Sequence, residues 1–274
     1  MEHRTLAFIG AGNMSRSIIA GLINAGYPAQ YIIAANPSLP KLTALACDYG
    51  ITITQSNAEA VRQAEVIVLA VKPQLMADML AALVAELGSL EGKLLISIAA
   101  GIKLARLGEM AGGHDRIIRT MPNTPALLGL GMTGLYAPDH IAPADRDFAE
   151  QMMQAVGKTL WVTQESGING VIAAAGSAPA YFFLFMQAIA EQAQAMGFSP
   201  EQARLLVQQT ALGAAVMVEQ NPHLSLQTLR EQVTSKGGTT AEAINTFQQQ
   251  GLMPLTAHAM QAAVARAAEM ETLF

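Results

Sequence analysis

Only one cysteine, Cys47, occurs in the 274 residues, so no disulfide can form within a chain, which fits a reducing cytosol. Charge is scarce as well: 14% of residues are Asp, Glu, Lys or Arg, against 51% that are apolar. A disordered chain has the reverse balance. So little charge on so many residues implies apolar surface hidden elsewhere, in a subunit interface. The net charge is −5 and no long basic run occurs, which argues against nucleic acid as a partner. The start, Met1 to Thr5, is charged and passes straight into a strand-like run, unlike a secretory signal. The longest strongly apolar stretch is Ala178–Met186, well short of the ~20 residues a bilayer needs. The expectation is a cytoplasmic protein with no membrane partner. His3, His114, His140, His223 and His258 are scattered and match no metal motif, so no metal is expected.

What the chain does have is alternation. Short apolar runs at Leu6–Ile9, Tyr31–Ala35, Ile51–Ile53, Glu65–Val71, Leu94–Ile98 and Arg116–Arg119 are strand candidates. Helix-like segments at Met14–Asn24, Lys41–Asp48 and Met76–Leu87 lie between them. That order implies crossover units and a parallel sheet covered on both faces. Met132–Tyr136 and Leu160–Val162 read as further short strands, with a helix from Pro143 to about Val156. After Ser166 no strand candidate remains. Ser199-Pro-Glu-Gln202 is a capping box that opens a helix, and further helices are predicted near Leu226–Val233, Thr240–Gln249 and Pro254–Glu271. The expected fold is therefore an α/β Rossmann-type domain over residues 1–164 and an all-α domain over 165–274.

The chemistry-bearing residues cluster at predicted strand ends. Gly10-Ala-Gly12-Asn13-Met14-Ser15 follows the first strand and opens the first helix, the place where a dinucleotide pyrophosphate meets a helix N-terminus. Ser15 stands where the third glycine of that fingerprint is usual. The second strand ends in Asn36-Pro37-Ser38, with Lys41 beyond and no acid. An acid there binds the ribose of NAD but would repel the 2′-phosphate of NADP, whereas Asn36 and Ser38 can donate to it, so NADPH is expected, with NADH a poorer alternative. Ala70, Val71, Lys72 and Pro73 close the fourth strand, and Lys72 either faces the cofactor or is simply solvated. Ala99 and Ala100 close the fifth and leave room for a flat ring. Asn57 either contacts the adenosine side or caps the next helix.

Three more segments stand out: Met121-Pro-Asn123-Thr-Pro-Ala126, Gly176-Ser-Ala-Pro-Ala-Tyr181, which interrupts a helical region, and Ser235-Lys-Gly237-Gly238-Thr239-Thr240. The last places two glycines and three hydroxyls before a helix N-terminus. It suits a carboxylate, and it is equally a threonine-capped helix after a glycine turn.

GAGNMS, AVKP, SIAAG, RTMPNTPA, GSAPAY and VTSKGGTT, in this order along essentially the whole chain, resemble pyrroline-5-carboxylate reductases. The family usually has proline where this chain has Lys236, and often glycine or serine where it has Ala178. The resemblance implies a homodimer built by the helical domain, with dimers often assembled into rings. It implies an active site where the nucleotide domain meets the helical domain of a partner subunit. NADPH would lie over the strand ends, with its nicotinamide near Lys72-Pro73, Ala99-Ala100 and Asn123. Its hydride would go to the C=N carbon of 1-pyrroline-5-carboxylate, giving L-proline. The Ser235–Thr240 loop would hold the substrate carboxylate, and the Thr240 hydroxyl would reach the ring nitrogen. A protonated imine already accepts hydride well, so no strong general acid or metal is required. Two rivals fit less well. A hydroxyacid dehydrogenase would carry a lysine in the first long helix after the boundary, where this chain reads GSAPAYFFLF. A non-catalytic NADP sensor would have no need of the GGTT cradle.

Overall fold

A computed structural model describes residues 2–274 of the chain. Eight strands form one sheet: β1 (Leu6–Ile9), β2 (Ile32–Ala35), β3 (Thr52–Thr54), β4 (Val66–Leu69), β5 (Leu94–Ser97), β6 (Ile117–Met121), β7 (Gly131–Tyr136) and β8 (Gly157–Trp161). Their spatial order is β3-β2-β1-β4-β5-β6-β7-β8. Every pairing is parallel except β6 with β7. In the sheet, the chain moves outward from β1 to β3, then crosses back to β4 beside β1 and continues the other way. The β1/β4 boundary is therefore the point where winding reverses, and a crevice opens there at the strand carboxyl ends.

β1, β2, β4 and β5 are buried at every position, because helices cover both faces of the sheet. Alternate residues supply two cores. Leu6, Phe8, Val66, Val68, Leu94 and Ile96 pack on one face against Ile18, Ile19 and Leu22 of α1 (Asn13–Asn24), Leu42 and Leu45 of α2 (Leu39–Tyr49), and Met152 and Met153 of α6 (Pro143–Gln154). Ala7, Ile9, Ile67, Leu69 and Leu95 pack on the other. Their partners there are Val61 of α3 (Asn57–Gln63), Leu80 and Leu83 of α4 (Met76–Leu87), and Leu107 of α5 (Leu104–Met110). The helix α5 carries no sequence signal of its own. It is short and holds Gly108, whose missing Cβ lets the helix lie against the His114 carbonyl: a Cβ would sit 2.8 Å from that oxygen.

The chain divides into two compact units, one of residues up to Ser177 together with Ala263–Phe274, the other Ala178–Ala262. The strands end at Trp161, but α7 (Gly167–Val171) and the wide helical turn Ile172–Gly176 belong to the first unit. The segment expected to interrupt a helical region does not break it. The helix widens for one turn, with the Ser177 N–H reaching back five residues to the Ile172 carbonyl at 2.8 Å, and resumes as α8 (Ala178–Ala195). Run together, Gly167–Ala195 spans 29 residues with a mean hydropathy of 1.5 in its most apolar stretch. By length and composition alone it is able to cross a bilayer, unlike Ala178–Met186 taken by itself.

The second unit holds α8, α9 (Pro200–Gln220), α10 (Leu226–Gln232), α11 (Thr239–Gln249) and the first part of α12 (Leu252–Met270). The capping box at Ser199 forms in full, with Ser199 and Gln202 satisfying each other's backbone N–H groups. Phe185 and Phe247 pack with ring centroids 5.7 Å apart. Few other large apolar side chains are covered: Phe182, Phe183, Leu184, Leu205, Met253 and Leu255 are all at least 65% exposed.

Candidate functional site

At the winding reversal the loops after β1 and β4 nearly touch. Gly10 has φ +111°, and a Cβ on it would lie 2.6 Å from the Ala70 carbonyl oxygen, so only glycine serves there. Ser15, buried at the third fingerprint position, donates from Oγ to the Gly10 carbonyl at 2.7 Å and pins the turn. Gly12 is different: a Cβ there would meet nothing within 4 Å. No part of the protein requires glycine at that point, and its missing side chain leaves the backbone open to close approach by a ligand. Gly12 is the N-cap of α1, with no capping side chain and no acid in the first turn. The free N–H groups of that turn could cradle an anionic pyrophosphate. The residues present therefore fit a dinucleotide.

The side expected to take the adenosine is built on α1 and α2. Asn36, just past β2, accepts the Ala11 N–H through Oδ1 at 3.3 Å, which leaves its Nδ2 end for a ligand. Ser38 is the N-cap residue of α2 but its side chain caps nothing, so its hydroxyl is also free for a ligand. A cavity of about 330 Å³ lies beside these residues, lined by Ala11, Gly12, Asn13, Arg16, Pro40 and Lys41 among others. Arg16 belongs to no motif in the sequence, although its place four residues after Gly12 puts the two on one helix face. Its guanidinium is held by Asp48 at 2.5 Å and lies 5.5 Å from the Tyr49 ring centroid. Asn57 does not cap α3: Ser56 does, accepting the Glu59 N–H at 3.2 Å.

Along the same carboxyl edge follow Ala70-Val71 after β4, then exposed Lys72 and half-buried Pro73. Ala99 is buried after β5 and Ala100 half-buried. The β5 end is fixed from β6, where the Thr120 hydroxyl donates to the Ser97 carbonyl at 3.0 Å in a buried contact. Asn123 is 8% exposed, and its carboxamide is committed to the protein. Oδ1 accepts the Met132 N–H at 2.8 Å and Nδ2 donates to the Ala175 carbonyl at 3.0 Å. Arg119, fully buried in β6, pairs with Glu165 at 2.9 Å and Glu271 at 3.0 Å, and so anchors the C-terminal end of the chain to the sheet. The only sequence sign of it is an arginine inside an apolar strand.

In the second unit, Gly237 takes φ +72° and the Gly238 N–H closes a turn onto the Ser235 carbonyl at 3.0 Å. The turn delivers the chain into α11, which begins at Thr239. Its N-cap residue is Gly238, and no side chain caps it. The threonine-capped alternative therefore does not form. Thr240 is the second residue of the helix, and Ser235, Gly237, Thr239 and Thr240 are all exposed.

Residues 165–270 match the family model described as pyrroline-5-carboxylate reductase dimerisation, and residues 5–101 match the one described as NADP oxidoreductase, coenzyme F420-dependent. A pyrroline-5-carboxylate reductase of Vibrio alginolyticus is 58% identical over the whole of both chains. That of Haemophilus influenzae is 47% identical, again over both whole chains. Among solved structures, the pyrroline-5-carboxylate reductase of Coxiella burnetii superposes with a TM-score of 0.93 at 40% identity, covering 98% of this chain and 99% of that one. The Plasmodium falciparum pyrroline carboxylate reductase, solved with NADP bound, gives 0.85 at 28% identity and covers 99% of both.

Proposed function

The chain belongs to the pyrroline-5-carboxylate reductase family, and on that premise we propose how its residues divide the work. The protein is an oxidoreductase that reduces 1-pyrroline-5-carboxylate to L-proline, the last step of proline synthesis, with NADPH as reductant. The observation that carries the cofactor assignment is the uncapped N-terminus of α1 over the open space at Gly12.

Residues 1–164 serve the cofactor and 165–274 serve assembly and substrate. The N–H groups at Gly12, Asn13 and Met14 hold the pyrophosphate, on the turn that Gly10 and Ser15 shape. Asn36, Ser38 and the cations of the adjoining cavity, Lys41 and Arg16, receive the 2′-phosphate, while Asn57 flanks the adenosine. Ala70, Val71, Lys72, Pro73, Ala99 and Ala100 form the wall for the nicotinamide. When bound, NADPH supplies the hydride that the C=N carbon takes up. On the substrate, the backbone N–H groups of Ser235, Gly237 and Thr239 hold the carboxylate, on the turn that the Gly238 N–H closes onto the Ser235 carbonyl. The Thr240 hydroxyl oxygen accepts from the protonated ring nitrogen. That nitrogen keeps its proton as the double bond becomes single, so no residue need donate one. The protein's contribution is orientation and exclusion of water.

Residues 165–270 constitute the family's dimerisation segment, and the exposed apolar helices of the second unit are the surface it would bury. Closure of dimers into a ring and residence in the cytoplasm complete the reading. The direct test is loss of NADPH absorbance when 1-pyrroline-5-carboxylate is added, with proline as product; no turnover with that imine would remove the reading.

A further inference from the structure

We infer that Asn123 is a positioning residue for hydride transfer, which it serves by holding the wide helical turn Ile172–Gly176 against the loop that leaves β6. The inference deepens the function proposed above and rests on it.

In an α-helix the carbonyl of residue 175 bonds the N–H of residue 179. Residue 179 is proline, which has no N–H. The helix responds by widening, with Ser177 N–H bonded to the Ile172 carbonyl. The Ala175 carbonyl, deprived of its α-helical donor, takes the Asn123 Nδ2 at 3.0 Å. The other end of the same carboxamide takes the Met132 N–H of β7 at 2.8 Å. Three segments, one of them some fifty residues further along the chain, thus meet on one side chain, and at 8% exposure water does not substitute for either bond. A second contact joins two of the same segments: a Cβ on Gly176 would lie 3.1 Å from the Met121 methyl.

The loop so held, Met121–Ala126, leaves β6 on the edge that also carries Val71-Lys72-Pro73 after β4 and Ile98–Gly101 after β5. In the proposed function that edge is the nicotinamide wall. Pro122 and Pro125 remove part of the loop's freedom, and Asn123 removes what is left. Widened helical turns recur at functional sites. Here the turn has a chemical cause, Pro179, and a use: it exposes one carbonyl as the anchor for the wall. A wall displaced by a fraction of an ångström spoils the alignment on which hydride transfer depends.

The test is a double-variant cycle on the full-length enzyme with Asn123→Ala, Pro179→Ala and both together. The readouts are melting temperature, kcat, KM for NADPH and the primary isotope effect with 4-deuterated NADPH. Asn123→Ala is expected to lower kcat by about ten-fold, to leave KM for NADPH within about three-fold, and to raise the isotope effect as hydride transfer becomes the slow step. Pro179→Ala restores an N–H for the Ala175 carbonyl, so the double variant should regain part of the lost melting temperature while kcat stays about as low as in Asn123→Ala alone, the strut being absent from both. Strictly additive effects overturn the inference, and so does a lowered melting temperature with kcat unchanged. Should Asn123→Ala fail to fold, Asn123→Asp keeps the acceptor for Met132 and loses the donor for Ala175, and enters the same cycle. If the unmodified enzyme does not turn over 1-pyrroline-5-carboxylate, the proposed function fails, while the melting-temperature cycle still decides whether positions 123 and 179 are coupled.

Discussion

Two side chains in the proposed site have no structural employment, and that makes them clean probes. Thr240 is not the cap of α11, so Thr240→Ala removes no helix-capping bond. The melting temperature should stay nearly constant while turnover falls by about ten-fold or more, the loss expected for a hydrogen bond to a charged group worth about 1.5–3 kcal/mol. Thr240→Ser keeps the hydroxyl and should keep much of the activity. A lowered melting point with intact kinetics would return Thr240 to a purely structural part. Lys41 lines the cavity beside Asn36 and Ser38. Lys41→Gln should weaken NADPH by about five- to ten-fold, for one charge contact of about 1 kcal/mol or slightly more, and leave NADH unchanged. Asn36→Asp should shift preference toward NADH by setting a carboxylate against the 2′-phosphate. Equal losses for both cofactors, measured by binding fluorescence, would move the 2′-phosphate site elsewhere.

At the scale of elements, the approach of two strand ends and the seat of one helix can each be tested. Gly10→Ala puts a methyl 2.6 Å from the Ala70 carbonyl at a φ of +111°. The β1 and β4 ends must then part, so NADPH binding should be lost before global unfolding, as calorimetry and cofactor titration together would report. The helix α6 is held by Asp145, which accepts from Arg4 at 2.7 Å and from Arg116 at 2.7 and 2.8 Å. Burial by itself would push this carboxyl up, but the hydrogen bonds from Arg116 and Arg4, with their charges, outweigh it and hold it below the ordinary carboxylate value. A carboxyl whose pKa is lower folded than unfolded adds stability that is complete above the unfolded value of about 3.9 and is lost as pH falls through the folded one. Asp145→Asn should therefore cost about 2 kcal/mol at pH 7, and the gap from the unmodified protein should close as both are melted at pH values descending below about 4. A gap independent of pH would mean that packing, not charge, holds α6.

For the molecule as a whole, composition and structure meet at the helical unit. Phe182, Phe183 and Leu184 are consecutive on α8 and each about two-thirds exposed, so the helix presents apolar surface on more than one side. A partner copy is the natural cover for such a surface in a segment matched by a dimerisation model. Light scattering should give at least a dimer at micromolar concentration, and Phe183→Glu should weaken the assembly by placing a charge in the buried interface. A monomer in the unmodified protein would sink this assignment of the surface.

The sequence alone determined the alternating strands and helices, because runs such as VIVL between turn residues have few other ways to bury themselves, and Met76–Leu87 emerges with the bounds its pattern suggests. It also determined the glycine turn, the missing acid after β2 and the capping box, since each is a local pattern with a local cause. Tertiary structure decided the rest. That Gly10 is forced while Gly12 is left open depends on Ala70, sixty residues away in sequence and adjacent only once β1 and β4 pair. Arg16 joins the cavity proposed for the cofactor because α2 packs beside α1. Asn123 looks like a free polar contact in the chain RTMPNTPA, and becomes a strut only where β7 and the turn opened by Pro179 reach it. Periodicity and turn chemistry act over a few residues and are legible one segment at a time, whereas the work of a buried polar side chain is set by which distant backbone groups arrive unpaired beside it.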